Sequence, residues 1–159
     1  MRALTGIVSI ATMSLIGPMA TVMAADTDHL TASIDGKTFT AEWTEASQFA
    51  MAGKSMLNFN GHIGTGIGSR FINCQLAAPK PGSFPIGGGS MLARTSCSYT
   101  AGADLMADKY RFKSGSITIT RLDAASSDVS GTFSGSAANG AGQPLTIADG
   151  SFDIHYTSK

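Results

Sequence analysis

Few side chains in this sequence carry reactive chemistry, and they lie far apart: two cysteines, Cys74 and Cys97, and three histidines, His29, His62 and His155. An even cysteine count in an oxidising compartment favours a disulfide, here closing a loop with 22 residues between the partners. In the chain-entropy account such a closure stabilises by roughly 3 kcal/mol. Two buried free thiols are the alternative. No histidine has a partner at metal-ligand spacing. A metal site could therefore come only from tertiary approach, for instance of His29 and His155 if the terminal strands pair. Solvated surface histidines are the plainer expectation, and no metal or cofactor is called for.

Catalytic motifs are missing. Nucleophile-elbow hydrolases need Gly-x-Ser-x-Gly, and penicillin-recognising enzymes need Ser-x-x-Lys; neither pattern occurs. Asp149, Gly150 and Asp153 lack the alternating oxygen ligands and late Glu of a helix-loop-helix calcium site, so Asp149-Gly150 reads as a hairpin turn. Residues 61–68 hold four glycines in eight positions, but no Lys-Ser or Lys-Thr follows to make a phosphate loop. That segment reads as a mobile loop or an irregular sheet edge. His62 within it and Arg70 just beyond it are the candidate binding residues. The chain is therefore expected not to be an enzyme.

The N-terminus sets the context in which these residues act. Met1-Arg2 is followed by an apolar run over residues 3–16, then Gly17-Pro18, then small residues up to Ala24-Ala25-Asp26. One basic residue, a short apolar core, a helix breaker and small residues before a polar start are the parts of a secretory signal. Cleavage is expected after Ala24, with Ala25 the close second. The apolar run breaks after 14 residues, short of the about 20 that a membrane-spanning helix needs. The expected organisation is a signal helix over 1–24 and a single β domain over 25–159. The product is then soluble and periplasmic or secreted, with no membrane span after cleavage. Signal removal takes away one of the eleven basic residues and none of the eleven acidic ones, leaving a formal charge of −1. No overall basic excess points to nucleic acid or anionic lipid. Lys109, Arg111 and Lys113 read as one face of a strand.

The remaining sequence is organised by alternation of apolar and polar residues, with almost no helical periodicity. Leu30, Ala32 and Ile34 alternate up to Asp35-Gly36, and Phe39, Ala41 and Trp43 alternate after it, predicting a first hairpin over 30–43. A polar stretch over 44–54 is expected to hold a short helical turn at Phe49 and Met51. Strands follow at 56–60, at 71–76 with Cys74 on one face, and at 91–99 with Cys97 pointing inward. The segments 115–120, 129–134, 145–147 and 149–156 predict a four-stranded antiparallel meander. The fold class is all-β: an antiparallel sandwich or closed barrel of eight to ten strands, between which the pattern does not choose. Trp43, Tyr99, Tyr110 and Tyr156 are expected to be core rings, with the lining of a ligand cavity or an interface as the alternative.

Pro81-Gly82-Ser83-Phe84-Pro85-Ile86, the Gly-Ser-Ile-Thr-Ile-Thr strand from Gly115, the Ser-Gly-Thr-Phe-Ser strand from Ser130 and Asp149-Gly150-Ser151-Phe152 together form a pattern over residues 81–156. This pattern resembles a set of small secreted or surface-anchored bacterial all-β domains of unknown function. The resemblance implies a β fold and carries no catalytic residues across. Many of those domains are lipoproteins, and this chain departs from them in lacking a lipidation cysteine.

Three functions follow as expectations. The first is an exported, non-catalytic binding or interaction module with a protein or small-molecule partner and no nucleic acid. The second is a carrier of a small apolar ligand in a barrel cavity. The third is a hydrolase whose Asp, His and Ser meet only through the fold.

Overall fold

Asp35 and Gly36 take φ values of 47° and 76°, the paired left-handed geometry of a two-residue hairpin loop whose twist matches its flanking strands. They join β1 (His29–Ile34) to β2 (Lys37–Thr40). Ala52 and Gly53 repeat the geometry at 51° and 73° and join β3 (Trp43–Met51) to β4 (Lys54–Ile63). This corrects two expectations. The first hairpin ends at Thr40, so Trp43 opens the next strand. The stretch expected to turn helically at Phe49 and Met51 is a strand, because β4 pairs with it along its whole length from Trp43↔His62 to Met51↔Lys54. Cross-strand pairing outweighs the weak local preference of its small and polar residues.

The computed structural model describes residues 28–87, 94–104 and 107–159. The expected signal helix and the Ala24 and Ala25 cleavage positions lie outside the described residues. The remaining strands are β5 (Arg70–Ala77), β6 (Gly82–Pro85), β7 (Ser96–Thr100), β8 (Lys109–Asp123), β9 (Asp128–Ala138) and β10 (Pro144–Ser158). Among the described residues there is no helix, and none long and apolar enough to cross a membrane.

Seven strands close a barrel in the order β3-β4-β5-β7-β8-β9-β10 and back to β3. All contacts around it are antiparallel except the closing one, where Tyr156, Thr157 and Ser158 run parallel to Ala46, Ser47 and Gln48. Of the two expected architectures the barrel is the one formed. Two strands, β1 and β6, branch from it because β10 and β8 are too long for one neighbour on their outer edges, and β2 pairs in turn with β1. Along β10, residues 147–153 pair with β1 and residues 156–158 with β3. Along β8, residues 109–111 pair with β7 and residues 116–119 with β6. Between the last two contacts the outer edge of β8 is forked open.

The expected four-stranded meander is three strands. Asp149-Gly150 is not a hairpin turn but a bulge inside β10: Ile147 faces Gly135 and Gly150 faces Phe133, so β10 has one residue too many. β1 meets the same extra residue on the other side, with Ser33 facing Ala148 and Thr31 facing Ser151. Asp149 takes the left-handed φ of 50° that such a bulge needs.

The barrel interior is filled by rings. Phe59 stacks on Phe152 at 4.3 Å, with Phe133 at 6.4 Å from Phe59, and the edge of Phe39 meets Tyr99 at 6.0 Å. Each such buried ring contributes roughly 2–3 kcal/mol. Cys74 and Cys97 face each other in register on β5 and β7, are buried in this core, and are joined as a disulfide with Cα atoms 4.2 Å apart. That short separation is the one found at non-hydrogen-bonded antiparallel pairs.

Candidate functional site

The structure separates the two candidate binding residues. Only part of the glycine-rich segment is a connection: Gly61, His62 and Ile63 belong to β4, and the Gly64 N–H donates to Glu42 Oε2 at 2.9 Å. His62 faces Phe71, whereas Arg70 faces Ile63, the next residue along. Side chains alternate along a strand, so His62 and Arg70 point to opposite faces. His62 stands on the outer face between Trp43, parallel to it at 3.8 Å, and Phe71 at 5.2 Å. Burial between these rings pushes its pKa down, partly opposed by Glu45. Arg70 instead lies at the barrel end beside Tyr99, whose phenol burial pushes up while the Arg70 guanidinium opposes. Of the expected core rings, Tyr99 and Tyr156 are buried, while Trp43 is 42% exposed at the end of the outer ladder.

What comes together lies beside the fork in β8. A cleft of about 470 Å³ opens there, and four cationic side chains line it: Arg94, Lys109, Arg111 and Lys113. Lys109 and Arg111 alternate with Tyr110 and buried Phe112 and so face outward, while a bulge between Phe112 and Ser114 interrupts the alternation and leaves Lys113 exposed beside them. Asn73, Ser98 and Arg111 form one row across three strands, and Ser96 continues the cleft along β7. Asn73 is held by its neighbours on β4: its Nδ2 donates to Asn58 Oδ1 at 3.0 Å and also to Asn60 Oδ1. The lining contains no Asp or Glu. Cys74 and Cys97 stand next to Asn73 and Ser98 in sequence, so the disulfide ties the two strands that carry the polar part of this cleft.

The basic spacing at 109, 111 and 113 was legible as one strand face, but its meeting with Arg94, Ser96 and Asn73 was not. Those residues come from β5, from β7 and from the stretch leading into it. The only signal available in the sequence is the run of three cations at a period of two.

His29 and His155 do not form a shared site. His29 faces Asp153 on β10. The His155 ring instead sits between two carboxylates: Nδ1–H donates to Asp28 Oδ1 at 2.7 Å and Nε2–H to Asp128 Oδ1 at 2.8 Å. The hydrogen bond to Asp28, then the charge of Asp128, raises its pKa. With both nitrogens engaged the ring is a strand-end clamp, and no group of three or more metal-ligating side chains suited to an ion is found among the described residues.

A group whose folded pKa is raised adds stability that is fully present below its unfolded value of about 6.5 and is lost as pH rises through the folded value. The melting temperature of the wild type should therefore exceed that of His155→Gln at pH 5.5, with the difference shrinking as pH rises above about 6.5. His62 has the opposite sign, losing stability as pH falls below about 6.5, so the subtraction against His155→Gln isolates the clamp. A difference independent of pH would mean that His155 acts without its charge.

Comparison of the chain with protein-family models, with curated proteins and with solved structures gives no match. The class that fold and site define is a disulfide-tied seven-stranded barrel with branch strands and a cationic outer cleft.

Proposed function

We propose that this protein is an exported, non-catalytic binding module that receives its ligand in the cleft at the β8 fork. The observation that carries this reading is the cleft itself: hydrogen-bonding and charged side chains from separate strands converge on one opening of about 470 Å³, within the range of ligand sites. The signal pattern of residues 1–24 and the paired cysteines support export. The second expectation, an apolar carrier, needs an interior cavity. It draws no support from a barrel interior occupied by Phe59, Phe133 and Phe152.

The test has two parts. Protein recovered from the periplasm or medium is expected to have a mass beginning at Ala25 or Asp26, and an uncleaved chain in the cytosol would refute export. For binding, wild type is compared with Ser98→Phe, which fills the cleft without changing its charge and suits a strand. Native mass spectrometry after exposure to an envelope extract is expected to show a component on the wild type that Ser98→Phe loses while melting at a similar temperature. The same components on both would refute the cleft as the site.

A further inference from the structure

Two ion-paired groups on this molecule place carboxylates against their cations. Arg121 forks onto both oxygens of Asp153 at 2.9 and 3.1 Å, and His155 is held by Asp28 and Asp128. The cleft lining, by contrast, holds no Asp or Glu. Among the described residues none of Arg94, Lys109, Arg111 and Lys113 has an ion-pair partner, and they gather at one opening of a chain whose formal charge is zero. Four like charges beside one cavity repel one another and raise the local concentration of counter-ions. Such an arrangement is relieved by an anionic ligand.

Three features narrow the ligand class, taking the binding reading above as given. First, Lys109 and Arg111 stand two residues apart on a strand, about 6.6–6.8 Å along it, and Lys113 follows at the bulge between Phe112 and Ser114; cations spread along the cleft in this way suit several separated anionic groups better than one compact ion. Second, Arg side chains present paired donors that match the oxygens of phosphate and sulfate, and Ser96 and Ser98 add hydroxyl donors beside them. Third, Asn73 spends both amide protons on Asn58 and Asn60. What remains to it is Oδ1, an acceptor, which an anion cannot satisfy and a ligand hydroxyl can.

We propose that the cleft binds a polyhydroxylated ligand bearing two or more phosphate or sulfate groups, of the phosphorylated or sulfated sugar type. Such a group could be a free solute or the headgroup of a lipid, and the same cations would serve either.

The test titrates the protein by calorimetry with glucose 1,6-bisphosphate, with inorganic phosphate, and separately with vesicles of phosphatidylcholine containing diphosphorylated lipid A. The bisphosphate, the lipid A vesicles or both should bind, with the bisphosphate at least tenfold tighter than inorganic phosphate if it is the free solute that fits. Binding should weaken as salt is raised and fall at least tenfold in Arg111→Glu/Lys113→Glu. Arg111→Gln/Lys113→Gln, which avoids new acidic charge, should fall in the same direction and serves if the first variant does not fold. Asn73→Leu, which removes the acceptor without adding charge, should weaken the bisphosphate more than inorganic phosphate. Bisphosphate binding alone identifies a free ligand, and vesicle binding alone a headgroup. No binding of either by wild type, or binding that both charge variants retain, overturns the proposal. If Ser98→Phe still loses its captured component while no anionic probe binds, the binding reading survives and the ligand class falls.

Discussion

Gly131→Ala is expected to lower stability by about 3 kcal/mol or more and the melting temperature by roughly 10 °C. A Cβ at this position would lie 2.1 Å from the Thr118 carbonyl oxygen and 2.8 Å from Phe152 Cζ. Backbone on one side and a packed ring on the other leave no flexible tip to yield. β9 is flanked by β8 and β10, with Gly131 facing Ile119 and Phe152, so relief in one direction disturbs the pairing in the other. Gly142→Ala is the control. Its φ of 78° makes alanine strained, but nothing lies within 4 Å of the added carbon, and the expected cost is about 1 kcal/mol. Chemical denaturation of the two variants separates close approach from backbone conformation. Equal losses would remove the packing argument.

The reason for this sensitivity is written in two short motifs. Gly131-Thr132-Phe133 and Gly150-Ser151-Phe152 are both Gly-x-Phe, and the antiparallel register of β9 and β10 sets each glycine opposite the other motif's ring: Gly131 against Phe152 and Phe133 against Gly150. A ring lying over a glycine lets curved strands approach while the lost side-chain volume is restored from the neighbour. The motifs, the strands and the Asp35-Gly36 turn were all legible in one dimension, since each depends on residues close in sequence. The bulge was not. Asp149-Gly150 has the chemistry of a hairpin turn, and only pairing with β9 on one edge and β1 on the other shows that the chain continues straight through it.

Barrel closure was illegible for a related reason. The period-two pattern tells which face of a strand is buried but not which strand comes beside it. The parallel contact of β10 with β3 joins segments more than a hundred residues apart through only three register pairs. The candidate site shares this limit. His62 and Arg70 are eight positions apart and looked like one loop, yet alternation through the β4 and β5 ladder sends them to opposite faces. Net charge misled in the same way: a sum near zero says nothing about where cations meet, and four of them line a single cleft.

Removing the disulfide is expected to cost about 3 kcal/mol, with the melting temperature of Cys74→Ala/Cys97→Ala lowered by about 10 °C. The bond joins residues 23 apart in sequence and so restricts the unfolded chain over a loop that contains β6 and the approach to β7. Removal also leaves unfilled volume at two buried positions. Both sulfurs lie in the core, at residues 0% and 5% exposed, so reductant should act on the folded protein only through opening, and the rate of reduction should follow unfolding. The consequence for the cleft separates global from local effects. Asn73 and Ser98 flank the two cysteines, and the β5–β7 ladder holds them in register from Phe71↔Thr100 to Gln75↔Ser96. At temperatures where the double variant remains folded, that ladder should keep the cleft assembled and ligand binding within a few-fold of wild type. A large loss of binding with little loss of stability would show instead that the disulfide, and not the ladder, sets the geometry of the cleft.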